Sequence, residues 1–243
     1  MTEIPVLPIT TRLLVMCSSR GRPQKLNEMI DSVYLNRSEG TELVVYVSEQ
    51  DRELAEYRPV LERVPHIIGP HRNMVQILNY LSIEVYPNMS YYTDLNDDQY
   101  VMTPHWDSIM IKAIEEHGGW SMASVESPNH LPYATVYPGK MVRTLGYYFP
   151  PKFRHVFVDN VQLAFKHVDF LFYVEGIRVD HRHVAFGTAV PDETFVATAG
   201  KQSEFDYGLY CFNEWSMHQR DADMLKLLRA QSAEREANAK SNY

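Results

Sequence analysis

The sequence predicts an α/β fold, with a mostly parallel central sheet flanked by helices. Two observations carry this. Short apolar runs alternate with helical-period segments through the first hundred residues. Three polar loops, Ser18 to Arg22, Ser48 to Asp51 and Asp94 to Asp98, then fall at one edge of that sheet. Ligands bind at that edge, beyond the carboxyl ends of the strands, in open α/β sheets. The length of 243 residues, 45% of them hydrophobic, suits one compact domain with a real core.

The elements follow in order. Leu13 to Cys17 is a buried strand, and Ser18 to Pro23 a turn around Gly21. Lys25 to Leu35 spaces Leu26, Met29, Ile30 and Val33 as one helix face. Leu43 to Val47 is a second strand, and Asp51 to Leu61 a helix that Pro59 weakens near its end. His66 to Ile68 is a third strand, closed by Gly69 and Pro70, and Asn73 to Val85 is helical. Tyr91 to Thr93 runs as a strand into Asp94-Leu95-Asn96-Asp97-Asp98. Beyond it, Trp106 to His117 reads as helix, Ser121 to Val125 as strand, Asn160 to Val168 as helix and Ile177 to His183 as strand. Met217 to Asn238 reads as a polar C-terminal helix that frays toward Tyr243.

Composition narrows the class. No apolar run approaches the roughly 20 residues that cross a bilayer. Met1 to Thr11 lacks the basic start and apolar stretch of a signal peptide, so a cytoplasmic protein is expected. Cys17 reads as a small buried hydrophobe; with Cys211 it makes no disulfide framework, although a single bridge stays open. The formal net charge of −8 argues against a nucleic-acid partner when taken alone. One segment departs from it. Ser127 to Val158 holds no acid, but holds Lys140, Arg143, Lys152 and Arg154, interleaved with aromatics such as Tyr133, Tyr147 and Phe153. The rest of the chain carries 19 Lys and Arg against 31 acids. This basic stretch, rich in proline, is expected to form loops and short strands over the site.

Asp97 and Asp98 at a strand end are the first chemical signal. Carboxylates are the natural ligands of hard divalent cations, and such a cation neutralises the charge that builds on a departing diphosphate. Asp94 is close by, with its facing left open. A solvated acidic turn is the bland alternative.

The ordered pieces Leu14-Val15-Met16-Cys17-Ser18-Ser19-Arg20-Gly21-Arg22-Pro23, the acidic strand end, Thr103-Pro104-His105-Trp106-Asp107, Phe157-Val158-Asp159-Asn160 and Asp180-His181-Arg182-His183 resemble family 2-like GT-A glycosyltransferases. The resemblance spans about Leu13 to Asp192. It implies a Rossmann-like GT-A domain over 1–215, with a nucleotide-sugar half at about 11–100 and an acceptor half at about 101–200. A C-terminal helix and tail at 216–243 follow. It implies a nucleotide-sugar donor, first a UDP-sugar, and Mn2+ or Mg2+. The family's Asp-x-Asp becomes Asn96-Asp97-Asp98 here. The metal role therefore carries to Asp98, with a metal or ribose role for Asp97 and Asn96 at the first position. Ser18, Arg20 and Arg22 would approach the nucleotide, Arg through its fork of donors. Asp51 would meet the base or ribose; its plain alternative is a helix-start carboxylate.

By the same resemblance Asp159 is the catalytic base of an inverting transfer, the alternative being a helix N-cap. His181 and His183, two apart on a strand, face one side, and one or both would join the metal. Asp192 lies in a family-like turn, and Trp106 is expected to pack beneath the metal loop.

For the acceptor, Lys140, Arg143, Lys152 and Arg154 among aromatics suit a polyanion. The leading expectation is a 5-hydroxymethylcytosine in DNA, flipped from its stack, as in enzymes of bacteriophages, which would place the protein in the host cytoplasm. A glycan or protein acceptor is the second. From other classes, a nucleotidyltransferase would share the sheet but lacks a Gly-rich phosphate loop here. A non-enzymatic nucleic-acid binding module leaves the carboxylates and histidines unexplained.

Overall fold

A computed structural model describes residues 4–197 and 200–241. The readings made on Met1, Thr2 and Glu3, and on the tail at Asn242 and Tyr243, lie outside those residues. Strands and helices alternate as expected through the first half: β1 (Leu13–Ser19), α1 (Pro23–Asn36), β2 (Thr41–Ser48), α2 (Leu54–Leu61), β3 (His66–Gly69), α3 (Met74–Asn79), β4 (Tyr91–Asp94) and β5 (Gln99–Val101). Then follow α4 (Trp106–Glu116), β6 (Met122–Glu126), β7 (Pro132–Pro138), α5 (Gly139–Leu145), α6 (Val158–Ala164), β8 (Leu171–Tyr173) and β9 (Val179–His181). The chain closes with α7 (Glu193–Ala197), α8 (Gln202–His218) and α9 (Arg220–Ser241).

Among the described residues a seven-stranded sheet runs in the order β3-β2-β1-β4-β7-β6-β8. β1, β2, β3 and β4 are mutually parallel, β6 is parallel to β8, and β7 is antiparallel to both β4 and β6. Because side chains alternate along a strand, β1 feeds two cores. Leu13, Val15 and Cys17 pack with α1 and α4, and Leu14 and Met16 pack on the opposite face with α3, α5 and the C-terminal helices. Helices therefore cover both faces, and the parallel strands read as continuous apolar runs. Trp106 is fully buried, so it packs in the core. Both cysteines are free and buried. No helix among the described residues is long and apolar enough to cross a membrane.

Four expectations change. The basic aromatic stretch is in large part scaffold, and only 133–134 and 154–158 of it reach the site. β7 lies inside the sheet, and Tyr137, Tyr147, Tyr148, Phe149 and Phe153 are core residues. Its first two cations serve the fold: Lys140 pairs with Glu234 of α9 at 2.9 Å over the Trp120 ring, and Arg143 donates to the Met89 carbonyl at 3.1 Å. The second change is an additional helix. α8 runs through positions 215 and 216, and the chain breaks at Gln219 instead. Gly208, within α8, is buried against the loop before α6. A Cβ there would lie 2.9 Å from Phe157 and 3.0 Å from the Val156 carbonyl.

The third change is at Asn73 to Val85. Asn73 caps α3 through a reciprocal capping box with Gln76, but a π-helical turn over Tyr80–Val85 replaces the rest. The fourth is at α2, which begins at Leu54. Asp51 stands before it, accepting from the Gly21 amide at 3.0 Å and the Glu53 amide at 2.9 Å. That side chain ties the β1–α1 turn to the start of α2.

A carboxylate and histidine cavity at the sheet edge

The ends of β1, β2 and β4 open into a cavity of about 550 Å³. A turn after β4 carries the acidic pair, closed by the Gln99 amide donating to the Asn96 carbonyl at 3.0 Å. Asp97 is 4% exposed, and both its oxygens are used: one accepts from the Ser19 hydroxyl at 2.7 Å and the other from Arg22 at 3.1 Å. Burial pushes its carboxyl up to about 6, against the pull of Arg22.

Asp98, equally buried, is different. Its Oδ1 has no hydrogen-bond partner and faces His181 Nε2 at 3.5 Å; its Oδ2 lies 3.7 Å from Arg22. Burial works upward on Asp98, but His181 and then Arg22 outweigh it and hold the carboxyl below its ordinary value. The β5–β9 ribbon makes this meeting. Its register sets Gln99 opposite His181, and the Arg182 amide donates to the Asp98 carbonyl at 2.9 Å. The His181 ring stacks on Tyr133 at 5.5 Å and lies 5.2 Å from the His183 ring. Both His181 nitrogens are buried without a hydrogen bond. Burial, then His181, lowers the His183 pKa.

Arg22 is the hub on the other side. It grips Asp192 with a fork, at 2.9 and 2.7 Å, while Lys25 reaches the same carboxylate at 2.7 Å. Burial acts upward on Asp192, but Arg22 and Lys25 hold it well below the carboxylate range. The Thr194 hydroxyl donates to the Arg20 carbonyl at 2.9 Å. The stretch after β9 is thereby strapped across the β1–α1 turn.

The third wall carries Asp159, in the first turn of α6. It does not cap the helix; that position belongs to Phe157, held in the left-handed region at φ 71° and packed against Phe205 and Phe212 of α8. Burial first, and the neighbouring Asp94 second, push the Asp159 carboxyl up to about 7, with His181 pulling down. Asp94 faces the cavity too. Its Oδ1 accepts from the Tyr148 hydroxyl at 2.7 Å, and burial raises it to about 6.

Ser18, Arg20, Arg22, Asn96, Asp97, Asp98, Arg154, Asp159, His181 and His183 all line this one cavity. Asp51, Lys140, Arg143 and Lys152 are not among its walls. Sequence reasoning missed Arg72 and Gln162, which are, as are Tyr133 and His155 of the basic aromatic stretch. His155 had a signal, as part of the basic stretch; its Nδ1 is buried without a partner, and burial lowers its pKa. Among the described residues no three His, Cys, Asp or Glu side chains are grouped closely enough to hold a metal alone.

A parallel sheet flanked by helices, an antiparallel return through β7 and a short ribbon beside the acidic turn define the GT-A fold. Several solved structures are similar to it. Residues 1–349 of S. aureus TarS in complex with UDP align at TM-score 0.53 and 10% identity, over 70% of this chain and 59% of that one. Glucosyl-3-phosphoglycerate synthase from Mycobacterium tuberculosis, in complex with Mn2+, UDP and phosphoglyceric acid, aligns at TM-score 0.53 and 12% identity, over 75% and 80%. Its complex with Mg2+ and UDP aligns at 0.52 and 12%, over 71% and 72%. The chain thus spans about 59% of the TarS fragment's length. At these identities the likeness is one of fold. No protein-family model matches the sequence. No curated protein matches it either.

Proposed function

We propose that this chain is a metal-assisted glycosyltransferase that moves a sugar from a nucleotide-sugar, first a UDP-sugar, to an acceptor hydroxyl with inversion. The observation that carries the reading is the convergence, in one cavity, of an unpaired Asp98–His181 couple and a part-buried carboxylate, Asp159, whose pKa is raised to about 7. The UDP and the Mn2+ or Mg2+ named with the similar structures support the donor and the metal.

The residues fit a divalent cation. Asp98 Oδ1 and His181 Nε2 are orphaned at 3.5 Å, a separation suited to two ligands each about 2.1 Å from one ion. With Asp97 engaged by Ser19 and Arg22, the protein offers few ligands, as a site that shares its cation with substrate phosphates does. When bound, the cation neutralises charge on the departing diphosphate. Asp97 acts by seating Arg22 beside that position. Ser18 and Arg20 face the nucleotide; Asp51, spent on two backbone amides, does not. Asp159 takes the acceptor's hydroxyl proton. The acceptor oxygen bonds to the sugar's anomeric carbon as the bond to the diphosphate breaks, with its electron pair leaving on phosphate. A pKa near 7 suits a base at neutral pH.

A DNA acceptor has narrower support at the cavity than the sequence pattern suggests. Its basic segment is mostly core, and Arg154 alone of the four cations lines the cavity. The test is a thermal-shift panel of UDP-, GDP-, CDP- and dTDP-sugars with and without Mn2+, followed by transfer assays on glycan, protein and hydroxymethylated-DNA acceptors. One sugar nucleotide should raise Tm in a Mn2+-dependent way. Asp98→Ala should lose that dependence, while Asp159→Asn should keep binding and lose transfer by about 100-fold or more. Release of pyrophosphate from a nucleoside triphosphate and a sugar phosphate would overturn transfer in favour of nucleotidyl transfer.

A further inference from the structure

Behind the acidic turn stands a hydroxyl that does not reach the cavity. Tyr57 and Leu61 are the buried face of α2. The Tyr57 side chain is fully buried and is not among the cavity walls. A phenol taken out of water needs partners for its hydroxyl, and this one has two. Its oxygen accepts from the Arg22 amide at 2.8 Å, and the Ser19 oxygen lies 2.7 Å from it. Ser19, itself buried, donates to Asp97 Oδ2 at 2.7 Å. The Arg22 guanidinium donates to the other oxygen of Asp97 at 3.1 Å.

These contacts fix the direction of every proton. A serine hydroxyl has one proton to give. Ser19 spends it on Asp97, so its oxygen accepts from Tyr57. Burial pushes the Tyr57 pKa upward, so the phenol keeps the proton that it donates. The donors therefore run from the Arg22 amide through Tyr57 and Ser19, and the series ends on the Asp97 carboxylate. Arg22 closes the circuit through its guanidinium. Successive bonds in such a series polarise one another, and here they all favour the charged end.

The circuit orients two groups at once. Arg22 is the N-cap of α1 and precedes Pro23, which restricts its backbone. With its amide bound to Tyr57, the direction in which its side chain leaves the turn is set. Asp97 has both oxygens engaged, so it keeps one orientation while Asp98 Oδ1 stays unpaired. Ser19, Arg22 and Asp97 line the cavity, and Tyr57 stands behind all three. Packing alone accounts for the ring of Tyr57. It does not call for a hydroxyl joined to two residues of the cavity wall.

We infer that Tyr57 is a positioning residue for the donor site. Through Ser19 and the Arg22 amide it holds Asp97 and the Arg22 guanidinium where they meet a nucleoside diphosphate. This rests on the glycosyl-transfer reading and adds to it a residue that touches no ligand.

UDP, or whichever of UDP, GDP, CDP and dTDP binds, is titrated calorimetrically with Mn2+ into the native full chain. The same titration is made on Tyr57→Phe, Ser19→Ala and the two together. Each single variant should weaken binding by about tenfold, because each cuts a bond in a series that ends on a charge. The double variant should bind no weaker than Ser19→Ala alone, since the series is already cut. A tyrosine that serves packing only would multiply the losses instead. In the ligand-free, isotope-labelled chain the Arg22 Nε–H resonance should move in the same direction in both single variants, and no further in the double. If Tyr57→Phe fails to fold, Ser19→Ala removes the acceptor of Tyr57 and leaves α2 untouched, and unchanged binding there would overturn the inference. Binding by Tyr57→Phe within about twofold of the native chain would overturn it too, as would losses that multiply in the double variant. Failure of every nucleoside diphosphate to bind the native chain is a different result. It overturns the transfer reading itself, and this role with it, before any variant is compared.

Discussion

Arg22 neutralises a pair of carboxylates that the fold has taken out of water. Its side chain is 15% exposed and touches Asp97, Asp98 and Asp192 at once. Removing one partner of a buried ion pair leaves the other charge uncompensated, at a cost of about 3–5 kcal/mol. Arg22→Met should therefore lose stability of that order in denaturant unfolding at pH 7. Mn2+ should restore part of it, because a cation can occupy the same neighbourhood. A loss below about 1 kcal/mol would mean that Asp97 is already neutral in the fold. The sequence made these residues legible because their types carry chemistry and their positions follow strand ends. It did not show that Arg22 would be held by protein carboxylates, since Asp192 stands 170 positions away. Asp94 was unreadable for the same reason. Its facing depends on Tyr148, 54 positions on, which supplies the hydroxyl that seats it.

The elements behave similarly. β1 to β4 were legible because buried parallel strands are continuous apolar runs bounded by turns. α8 was not, because Gly208 weakens its helical pattern and its burial depends on a distant loop. That glycine makes a prediction at the level of the element. A Cβ at 208 would meet Phe157 at 2.9 Å and the Val156 carbonyl at 3.0 Å, and neither can move freely. Phe157 is held at φ 71° between Phe205 and Phe212, and its backbone sets the start of α6. Gly208→Ala should push α8 outward or tilt that loop, costing about 1–3 kcal/mol by overpacking. Because that loop leads into the first turn of α6, which carries Asp159, kcat should fall. Binding of the nucleotide with Mn2+ should be unchanged, since those groups stand on the β4 turn and β9. Loss of nucleotide binding with kcat intact would contradict this division of the cavity between two walls.

Three carboxyls with raised pKa values, Asp94 and Asp97 near 6 and Asp159 near 7, give the whole molecule a pH dependence whose sign can be worked out. A carboxyl raised in the folded state contributes most stability below its unfolded pKa, near 3.8, and loses it as pH rises to the folded value. Asp98 and Asp192 are lowered instead, so their stability is lost only as pH falls below about 4. His155 and His183 are lowered from 6.5; they contribute stability above that value and lose it as pH falls below it, opposing the carboxyls there. A difference measurement isolates one group from this mixture. The Tm of Asp159→Asn minus that of the native chain should be smallest near pH 4, rise to about pH 7 and level off above. An amide has nothing to ionise in that environment. The plateau should be on the order of 2–4 kcal/mol in favour of the variant, several degrees in a chain of this size. A flat difference across that range would show that Asp159 ionises as it does in water. It would then lack the near-neutral basicity on which its assignment as the base depends. A rise without loss of transfer would keep the burial and remove the catalytic role. The expected outcome, a more stable and inactive protein, is what a carboxylate held against its own solvation for a reaction should give.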